Sequence, residues 1–317
     1  MVELRQLGGS GLRTPPLVLG GNVFGFTVKG EEAFALLDRF IAAGGRMIDT
    51  ADVYSNWVPG HVGGESETLL GEWLRRRGRR DDVLIATKVG YDRGLSAAYI
   101  AEAAEASLQR LGTDYVDLYY AHKDDEGTPL EETLGAFDRL VRDGKVRAVG
   151  ASNYKAERLA EALAVAERDG LTPYSVLQPE YNLMVRERFE GPLQQLSLER
   201  NLGVLVYFAL ASGFLTGKYR SPDDFGKSVR GGGMSRYLDD HGLAVLGELD
   251  DVAEETDSTP AQVALAWLAA RPGVTAPIAS ATKVDQLEEL LGVLTLELSA
   301  EQIERLDRVS AAPALAD

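Results

Sequence analysis

Val83-Leu84-Ile85-Ala86-Thr87-Lys88 is an apolar run that ends on a cation. Its residues are apolar without alternation, which is typical of a parallel strand covered on both faces. Comparable candidate strands begin near Leu17, Arg46, Val83, Tyr115, Val146, Ser175, Val204 and Thr275. Most of the intervals between them are roughly thirty residues long, the length of one strand–helix unit.

The segments between these strands have helical periodicity and recognisable helix starts. Thr128-Pro129-Leu130-Glu131 predicts a capping box with proline at the first helical position, and further caps are predicted at Ser96, Thr259 and Ser299. Eight strands alternating with helices favour an α/β fold, a closed (β/α)8 TIM barrel, built as one domain over residues 1–317. An open doubly wound sheet is the alternative, although no G-x-G-x-x-G follows a strand.

Two segments depart from the repeat. Residues 2–7, a glycine turn at 8–11 and the residues from Leu12 onward predict an N-terminal hairpin. Residues 218–240, after the seventh barrel strand, form a long glycine-rich loop. Such a loop is either a lid over a site or a disordered excursion at the surface, and the sequence favours neither.

Composition narrows the possible functions. The chain has 317 residues, and its net charge of −16 argues against nucleic acids and anionic membranes as partners. The absence of cysteine excludes disulfides and thiolate metal ligands, and only three widely spaced histidines argue against a metal site. The first residues, MVELRQLGGSG, lack an apolar signal core, and no apolar run approaches the ~20 residues that a membrane span needs, so we expect a cytoplasmic protein.

Polar side chains follow the ends of consecutive strands. In a (β/α)8 barrel the chemistry takes place at the carboxyl ends of the strands, so these side chains converge on one rim. Taken singly, each has an ordinary structural interpretation, such as a solvated rim lysine or a packed loop tyrosine. The candidates in chain order are Asp49, Tyr54, Lys88, His122, Ser152, Asn153, Gln178 and Tyr207.

Four of these residues suggest acid–base chemistry. A phenol titrates near pH ~10, and a neighbouring cation stabilises the phenolate and lowers that pKa. Lys88 could supply this cation for Tyr54, with Asp49 holding Lys88 through an ion pair and His122 orienting a carbonyl oxygen or relaying the proton. Tyr54 would then act as a general acid on a carbonyl whose carbon accepts a hydride from a nicotinamide.

The motifs resemble those of the aldo-keto reductases over nearly the whole chain, from Leu17 to about Leu306. They are Asp49-Thr50-Ala51 with Tyr54, Ala86-Thr87-Lys88, Tyr120-Ala121-His122, Gly150-Ala151-Ser152-Asn153, Gln178-Pro179-Glu180-Tyr181-Asn182 and Ser212-Gly213-Phe214-Leu215-Thr216-Gly217-Lys218-Tyr219. The resemblance implies a catalytic tetrad of Asp49, Tyr54, Lys88 and His122. It also implies reversible reduction of a small aldehyde or ketone to an alcohol.

For the cofactor, the resemblance implies NADPH bound extended across the rim, with NADH less favoured. Amide contacts would come from Ser152, Asn153 and Gln178, stacking from Tyr207, and positive charge from Lys218 and Arg230. The full set of implied cofactor contacts is Gly21, Asn22, Asp49, Ser152, Asn153, Gln178, Tyr207, Phe208, Ala209, Leu210, Ser212, Gly213, Lys218, Arg230, Ser280, Thr282, Gln286 and Glu289.

Two positions depart from the family pattern. Ala209 stands where many relatives have proline, which costs the loop some rigidity. Thr282 stands where many have an arginine that grips a 2′-phosphate, so Ser280, Thr282 and Lys283 would have to replace it, the last as a point charge.

The substrate pocket would be lined by the loops that follow the strands. The candidate substrate contacts are Phe24, Trp57, Tyr91 and His122, and their aromatic character suits an aromatic or alicyclic carbonyl compound.

One alternative function is a nicotinamide-binding subunit with slow chemistry, as in the potassium-channel beta subunits of the same family. Another is a barrel lyase or isomerase that uses Glu65 or Glu180 as its base, without NADPH.

Overall fold

The structure, a computed structural model, describes residues 2–228 and 231–311. Eight parallel strands close into a barrel, each paired with the next along the chain and the last paired with the first. The strands are β3 (Val18–Gly20), β4 (Met47–Asp49), β5 (Leu84–Val89), β6 (Val116–Ala121), β7 (Val146–Ser152), β8 (Val176–Gln178), β9 (Gly203–Val206) and β10 (Ala276–Ala279). The barrel is confirmed, and the open sheet is excluded because β10 pairs with both β3 and β9.

Helices surround the barrel and connect its strands. They are α1 (Gly30–Ala42), α2 (Glu65–Arg77), α3 (Ala97–Leu111), α4 (Leu130–Arg142), α5 (Ala156–Asp169), α6 (Pro192–Glu199), α7 (Asp240–Glu255), α8 (Pro260–Ala269), α9 (Val284–Leu291) and α10 (Ala300–Val309). No helix in the two described ranges is long and apolar enough to cross a membrane.

The core has two layers. The larger layer lies between the strands and the helices, and Trp73, Phe137 and Trp267 are among its fully buried side chains. The smaller layer fills the inside of the barrel, where Met47, Leu118 and Leu205 meet from different strands. The barrel is therefore a packed core, so a ligand can bind only at its rim.

The N-terminal hairpin is confirmed, and it closes one end of the barrel. β1 (Arg5–Gln6) and β2 (Arg13–Thr14) pair antiparallel. Leu7 and Leu12 between them belong to the inner core, and Gly8 bridges to Leu202 just before β9. Since β9 begins at this point, the hairpin lies at the amino ends of the strands, opposite the rim with the polar residues.

Most of the predicted helix starts are confirmed, and one is wrong. Thr259 and Ser299 each form a capping box with the glutamine three residues later. Thr128 does not cap α4: Pro129 occupies the cap position, without a side-chain bond to the helix. The Thr128 hydroxyl instead donates to Asp125 Oδ2 at 2.7 Å, because the preceding loop offers it a charged acceptor.

The long loop after β9 contains short helical turns. Its described part includes 3-10 helices at Pro222–Lys227 and Gly231–Arg236, and a third, Ala211–Thr216, precedes it. The predicted cofactor contact Arg230 lies outside the described residues. The two alternatives for this loop, a lid or a surface excursion, stay open, and the assignment of residues 1–317 to one domain stays a prediction.

Candidate active site

The rim at the carboxyl ends of the strands collects the predicted site residues. Each barrel strand contributes at least one of them within one position of its last residue, and they include Gly21, Asp49, Lys88, His122, Ser152, Gln178, Tyr207 and Ser280. Parallel strands bring these ends together although the residues are spread over most of the sequence. The convergence expected from the strand ends is therefore present.

Asp49, Lys88 and Tyr54 form a compact triangle at this rim. Lys88 Nζ donates to Asp49 Oδ2 at 2.6 Å, to the Thr50 carbonyl at 2.7 Å and to the Tyr54 hydroxyl at 3.0 Å. The Tyr54 hydroxyl in turn lies 3.2 Å from Asp49 Oδ2. Lys88 and Asp49 are both buried, so this ion pair is shielded from water.

The pKa of Tyr54 shifts in the opposite direction to the one expected from sequence. Burial, followed by the charge and hydrogen bond of Asp49, raises the pKa of the Tyr54 phenol well above its usual value. Burial also lowers the pKa of Lys88, and the nearby Asp49 carboxylate counters part of that shift. The expectation that Lys88 lowers the phenol pKa overlooked desolvation, which disfavours every charged form in this site.

His122 stands beside the triangle as a neutral imidazole. Its ring centre lies 6.2 Å from that of Tyr54. Burial, followed by the charges of Lys88 and Lys123, lowers the pKa of His122 to about 2. Its Nδ1 atom is buried and has no hydrogen-bond partner among the described residues. A neutral ring can orient a carbonyl oxygen, but it cannot relay a proton as an imidazolium near neutral pH.

A chain of amide and hydroxyl groups continues the rim past His122. Asn153 Nδ2 donates to the His122 carbonyl at 2.9 Å, and the Tyr207 hydroxyl donates to Asn153 Oδ1 at 2.7 Å. Ser152 Oγ donates to the Gln178 carbonyl at 2.9 Å. Gln178 Nε2 donates to Asp49 Oδ1 at 2.8 Å, which connects this chain to the triangle.

Small residues hold the first rim loop close to Asp49. Gly21 N donates to the Asp49 carbonyl at 2.7 Å, and a Cβ atom added at Gly21 would lie 2.8 Å from that oxygen. Ser66 Oγ donates to the Gly21 carbonyl and accepts from Thr50 Oγ1, both at 2.8 Å. The start of α2 thereby fixes the loop that follows β4, which carries Tyr54.

The loop after β9 has the properties of an anion site. Ala211, Ser212 and Gly213 all have positive φ, a backbone form in which successive amides can line a concave anion site. A Cβ atom at Gly213 would lie 3.7 Å from Lys218 Nζ, and Arg236 donates to Ser212 Oγ at 3.4 Å. Neither cation has an acidic partner within residues 2–228 and 231–311. These groups fit the diphosphate of a dinucleotide.

Further predicted cofactor contacts lie together at the neighbouring end of β10. Ser280 Oγ donates to Asn22 Oδ1 at 2.7 Å, which joins the loops after β3 and β10. Thr282 donates through both its amide and its hydroxyl to Gln286 Oε1, at 2.9 Å each. Glu289 lies one helical turn further along α9, and Lys283, the residue before this helix, is exposed.

One substrate assignment is corrected. Phe24 has 0% exposed surface and packs in the outer core, so it does not line an open pocket. Phe26, two residues further along, lies beside the site instead: its ring centre is 6.3 Å from that of Trp57, whose ring centre is 6.2 Å from that of Tyr54. Trp57 and Tyr91 are 53% and 46% exposed and face solvent beside the site.

Sequence reasoning missed Arg236 and Phe26. Arg236 lies well beyond Lys218 in the glycine-rich loop, and only the fold of that loop brings it back to Ser212. Phe24 and Phe26 are equally aromatic neighbours, and the turn at Gly25 decides which of them is buried. Neither choice has a local signal in the sequence.

Comparison with known proteins agrees with this site. A model of the aldo/keto reductase family matches residues 16–311. The chain is 36% identical to a probable voltage-gated potassium channel subunit beta of Oryza sativa, over 97% of this chain and 96% of that protein. It is 34% identical to aldo-keto reductase str7 of Strobilurus tenacellus, over 90% and 83%. It is 32% identical to aldo-keto reductase yakc [NADP(+)] of Schizosaccharomyces pombe, over 86% and 80%.

The match spans the barrel and every site residue that the structure describes. The chain therefore belongs to the aldo/keto reductase family, oxidoreductases that act on small-molecule carbonyl compounds with a nicotinamide cofactor.

Proposed function

We propose that this protein reduces an aldehyde or ketone to an alcohol with NADPH, and that Tyr54 supplies the proton. The observation that carries the proposal is the triangle in which the Tyr54 hydroxyl lies 3.0 Å from Lys88 Nζ and 3.2 Å from Asp49 Oδ2. A neutral His122 stands beside it. This arrangement suits the donation of one proton to a developing alkoxide.

The raised pKa of Tyr54 makes its phenol a weaker acid in the resting site, so Lys88 must stabilise the phenolate for the proton to leave. The raised pKa also keeps the phenol protonated at neutral pH, so the proton is in place before the reaction begins. Once the proton leaves, the phenolate oxygen accepts a hydrogen bond from Lys88, which Asp49 holds in position. The buried ammonium stabilises negative charge that appears only during the reaction, and such interactions accelerate the chemical step.

His122 would orient the carbonyl group. A neutral imidazole carries one N–H donor, and its lowered pKa keeps the ring in this form across the physiological range. A hydrogen bond from the ring to the carbonyl oxygen would hold that oxygen near the Tyr54 hydroxyl.

The rim residues would hold the cofactor in an extended form. When bound, the nicotinamide supplies the hydride that reduces the carbonyl carbon. Ser152, Asn153 and Gln178 would bind its carboxamide, and the Tyr207 ring would stack on it. These groups now bond to one another or to Asp49, so binding would exchange internal hydrogen bonds for ligand contacts.

A preference for NADPH over NADH would rest on Lys283. Ser280 and Thr282 are engaged by Asn22 and Gln286, whereas Lys283 is exposed at the amino end of α9. Its ammonium has no ion-pair partner in the described parts of the chain. An ammonium there would attract the additional phosphate of NADPH as a point charge.

Tyr54→Phe tests the proton donor. The substitution removes the hydroxyl and keeps the ring beside Trp57, so we expect kcat for carbonyl reduction to fall at least about 100-fold. Binding of NADPH, followed by quenching of protein fluorescence, should stay nearly unchanged. The assay is NADPH absorbance with a panel of aldehydes and ketones. Normal turnover by the variant would remove Tyr54 as the donor.

Lys283→Ala tests the cofactor preference. The loss of a point charge near the 2′-phosphate should raise the dissociation constant for NADPH roughly fivefold, the effect of about 1 kcal/mol. NADH lacks that phosphate and is the matched control, for which we expect no change. Equal weakening of the two cofactors would refute the role of Lys283.

A nicotinamide-binding accessory subunit is the second candidate, because the rice relative is named a probable channel subunit. Such a protein would bind NADPH tightly and turn over very slowly with every carbonyl compound in the panel. A complete tetrad with a shielded Asp49–Lys88 pair favours the enzyme. Of the alternative bases of a lyase, Glu180 pairs with Arg188. Glu65 accepts a hydrogen bond from Val62 N through Oε1, and its Oε2 atom is buried without a partner among the described residues.

A further inference from the structure

Lys123 places an ammonium at the mouth of the site. It directly follows His122, and its Nζ lies 4.8 Å from the centre of the Tyr91 ring. The Tyr91 ring centre in turn lies 4.9 Å from that of His122. One aromatic ring therefore contacts both the imidazole and the ammonium, and it spans the distance between them.

Two of the three acids that follow Lys123 in the sequence, Asp124 and Asp125, are engaged elsewhere. The sequence reads Lys123-Asp124-Asp125, which suggests local neutralisation. In the structure, however, Asp124 pairs with Arg158 at 3.1 Å. Asp125 accepts hydrogen bonds from Leu95 N and Thr128 Oγ1. Lys123 itself is exposed and has no ion-pair partner within residues 2–228 and 231–311.

The field of this ammonium reaches the site. The charge of Lys123 is one of the causes that lower the pKa of the His122 ring, after burial and Lys88. The whole chain carries a net charge of −16, which repels anions in general. The Lys123 ammonium, which lies against the Tyr91 ring, instead provides a local positive charge that attracts anions beside the mouth of the site.

We propose that Lys123 is a specificity-determining residue that favours aldehydes with a carboxylate or phosphate group across an aromatic-sized spacer from the carbonyl. The inference rests on the proposed carbonyl reduction and names its substrate class. The carbonyl end would lie at His122 and Tyr54, the spacer would lie along Tyr91 and Trp57, and the anion would meet Lys123. An ammonium near a partly hydrated anion contributes on the order of a fivefold gain in affinity.

The test compares two aldehydes of nearly the same shape, 4-carboxybenzaldehyde and methyl 4-formylbenzoate. Lys123→Met removes the charge and keeps an unbranched side chain over Tyr91. We expect the KM of the acid divided by that of the ester to rise about fivefold, with kcat little changed, because the contact is made before the reaction and persists through it. Lys123→Arg should keep the ratio near that of the unmodified protein.

Lys155→Met is the matched control. Lys155 is exposed at the same end of the barrel, immediately before α5, so its loss changes the net charge equally without touching Tyr91. Two outcomes would overturn the role of Lys123 while leaving carbonyl reduction intact. In the first, the KM ratio is the same in Lys123→Met and the unmodified protein. In the second, Lys155→Met shifts the ratio as much as Lys123→Met does. Failure of the unmodified protein to reduce either aldehyde, while it reduces other compounds of the panel, would also overturn the role of Lys123. Failure with the whole panel would contradict the proposed function itself.

Discussion

Asp49 accepts three hydrogen bonds, from Lys88, Tyr54 and Gln178, and so connects the proton donor to the cofactor side of the rim. Its place at a strand end is readable from the sequence, because an acid that closes an apolar run in such a barrel points to the rim. The bond from Gln178 is not readable, since it spans 129 positions and depends on two side-chain rotamers. The direction of the Tyr54 pKa shift escaped prediction for a similar reason, because burial is set by distant residues.

Asp52 is a second acid in this region, with a different environment. Its Oδ1 atom is buried without a hydrogen-bond partner in the part of the chain that the structure describes, and its Oδ2 atom lies 3.4 Å from the Tyr99 hydroxyl. Burial and the nearby Glu67 raise the pKa of Asp52 to about 7, while Arg110 opposes the shift. The folded protein therefore binds this proton more tightly than the unfolded chain does.

Asp52→Asn should remove a stability cost that depends on pH. Between about pH 4 and pH 7 the unfolded chain has lost the Asp52 proton while the folded protein still holds it, so the folded state becomes less stable as the pH rises. Above about pH 7 both states have lost the proton, and the destabilisation stays constant. The difference between the pKa of Asp52 in the folded protein, about 7, and its ordinary value of 3.8 corresponds to at most about 4 kcal/mol. Urea unfolding at pH 5 and pH 8 should show the variant gaining stability over the unmodified protein at the higher pH. A difference that does not change with pH would contradict the assignment.

Helices show where local sequence suffices and where packing decides. The capping boxes at Thr259 and Ser299 form because their hydroxyl and glutamine partners are close in sequence and have no stronger competitor. At Thr128 the same pattern fails, because Asp125 draws the hydroxyl away. Glycines inside helices are a second case in which packing decides, because the neighbouring sequence does not show whether another helix packs closely against the glycine.

Two helical glycines should respond to alanine in opposite directions. A Cβ atom at Gly71 in α2 would lie 2.1 Å from the Arg110 carbonyl of α3, so Gly71→Ala must push the helices apart and cost about 1–3 kcal/mol. Gly135 in α4 has no atom within 4 Å of that position, so Gly135→Ala should stabilise by about 0.5–1 kcal/mol. Urea denaturation of both variants measures the difference, and shifts of the same sign would contradict this account.

At the scale of the whole molecule, the two ends of the barrel have separate roles. The hairpin and the inner core close the amino ends of the strands, while every site residue lies at the carboxyl ends. The sequence predicted the barrel and the location of the site residues at the carboxyl ends, because the order and spacing of the apolar runs determine the barrel, but it did not predict where the hairpin lies. It also did not predict that Phe24 is buried, because that depends on a single turn in one rim loop.

Leu7→Ala should separate stability from activity. Leu7 has 0% exposed surface at the closed end, so its truncation should lower the free energy of unfolding by about 2–5 kcal/mol. At a temperature where the variant stays folded, kcat and KM for carbonyl reduction should match those of the unmodified protein. A changed kcat in the folded variant would mean that the two ends of the barrel are coupled.

The closed end also makes the protein suitable for oriented attachment to a surface. Gly9 lies exposed in the hairpin turn, and a Cβ atom there would come no nearer than 4.0 Å to its closest neighbour, the Asn201 carbonyl. The chain has no cysteine, so Gly9→Cys would introduce a unique thiol. A maleimide-coated electrode or bead would then hold every molecule by the end opposite the site, with all the rims facing the solution.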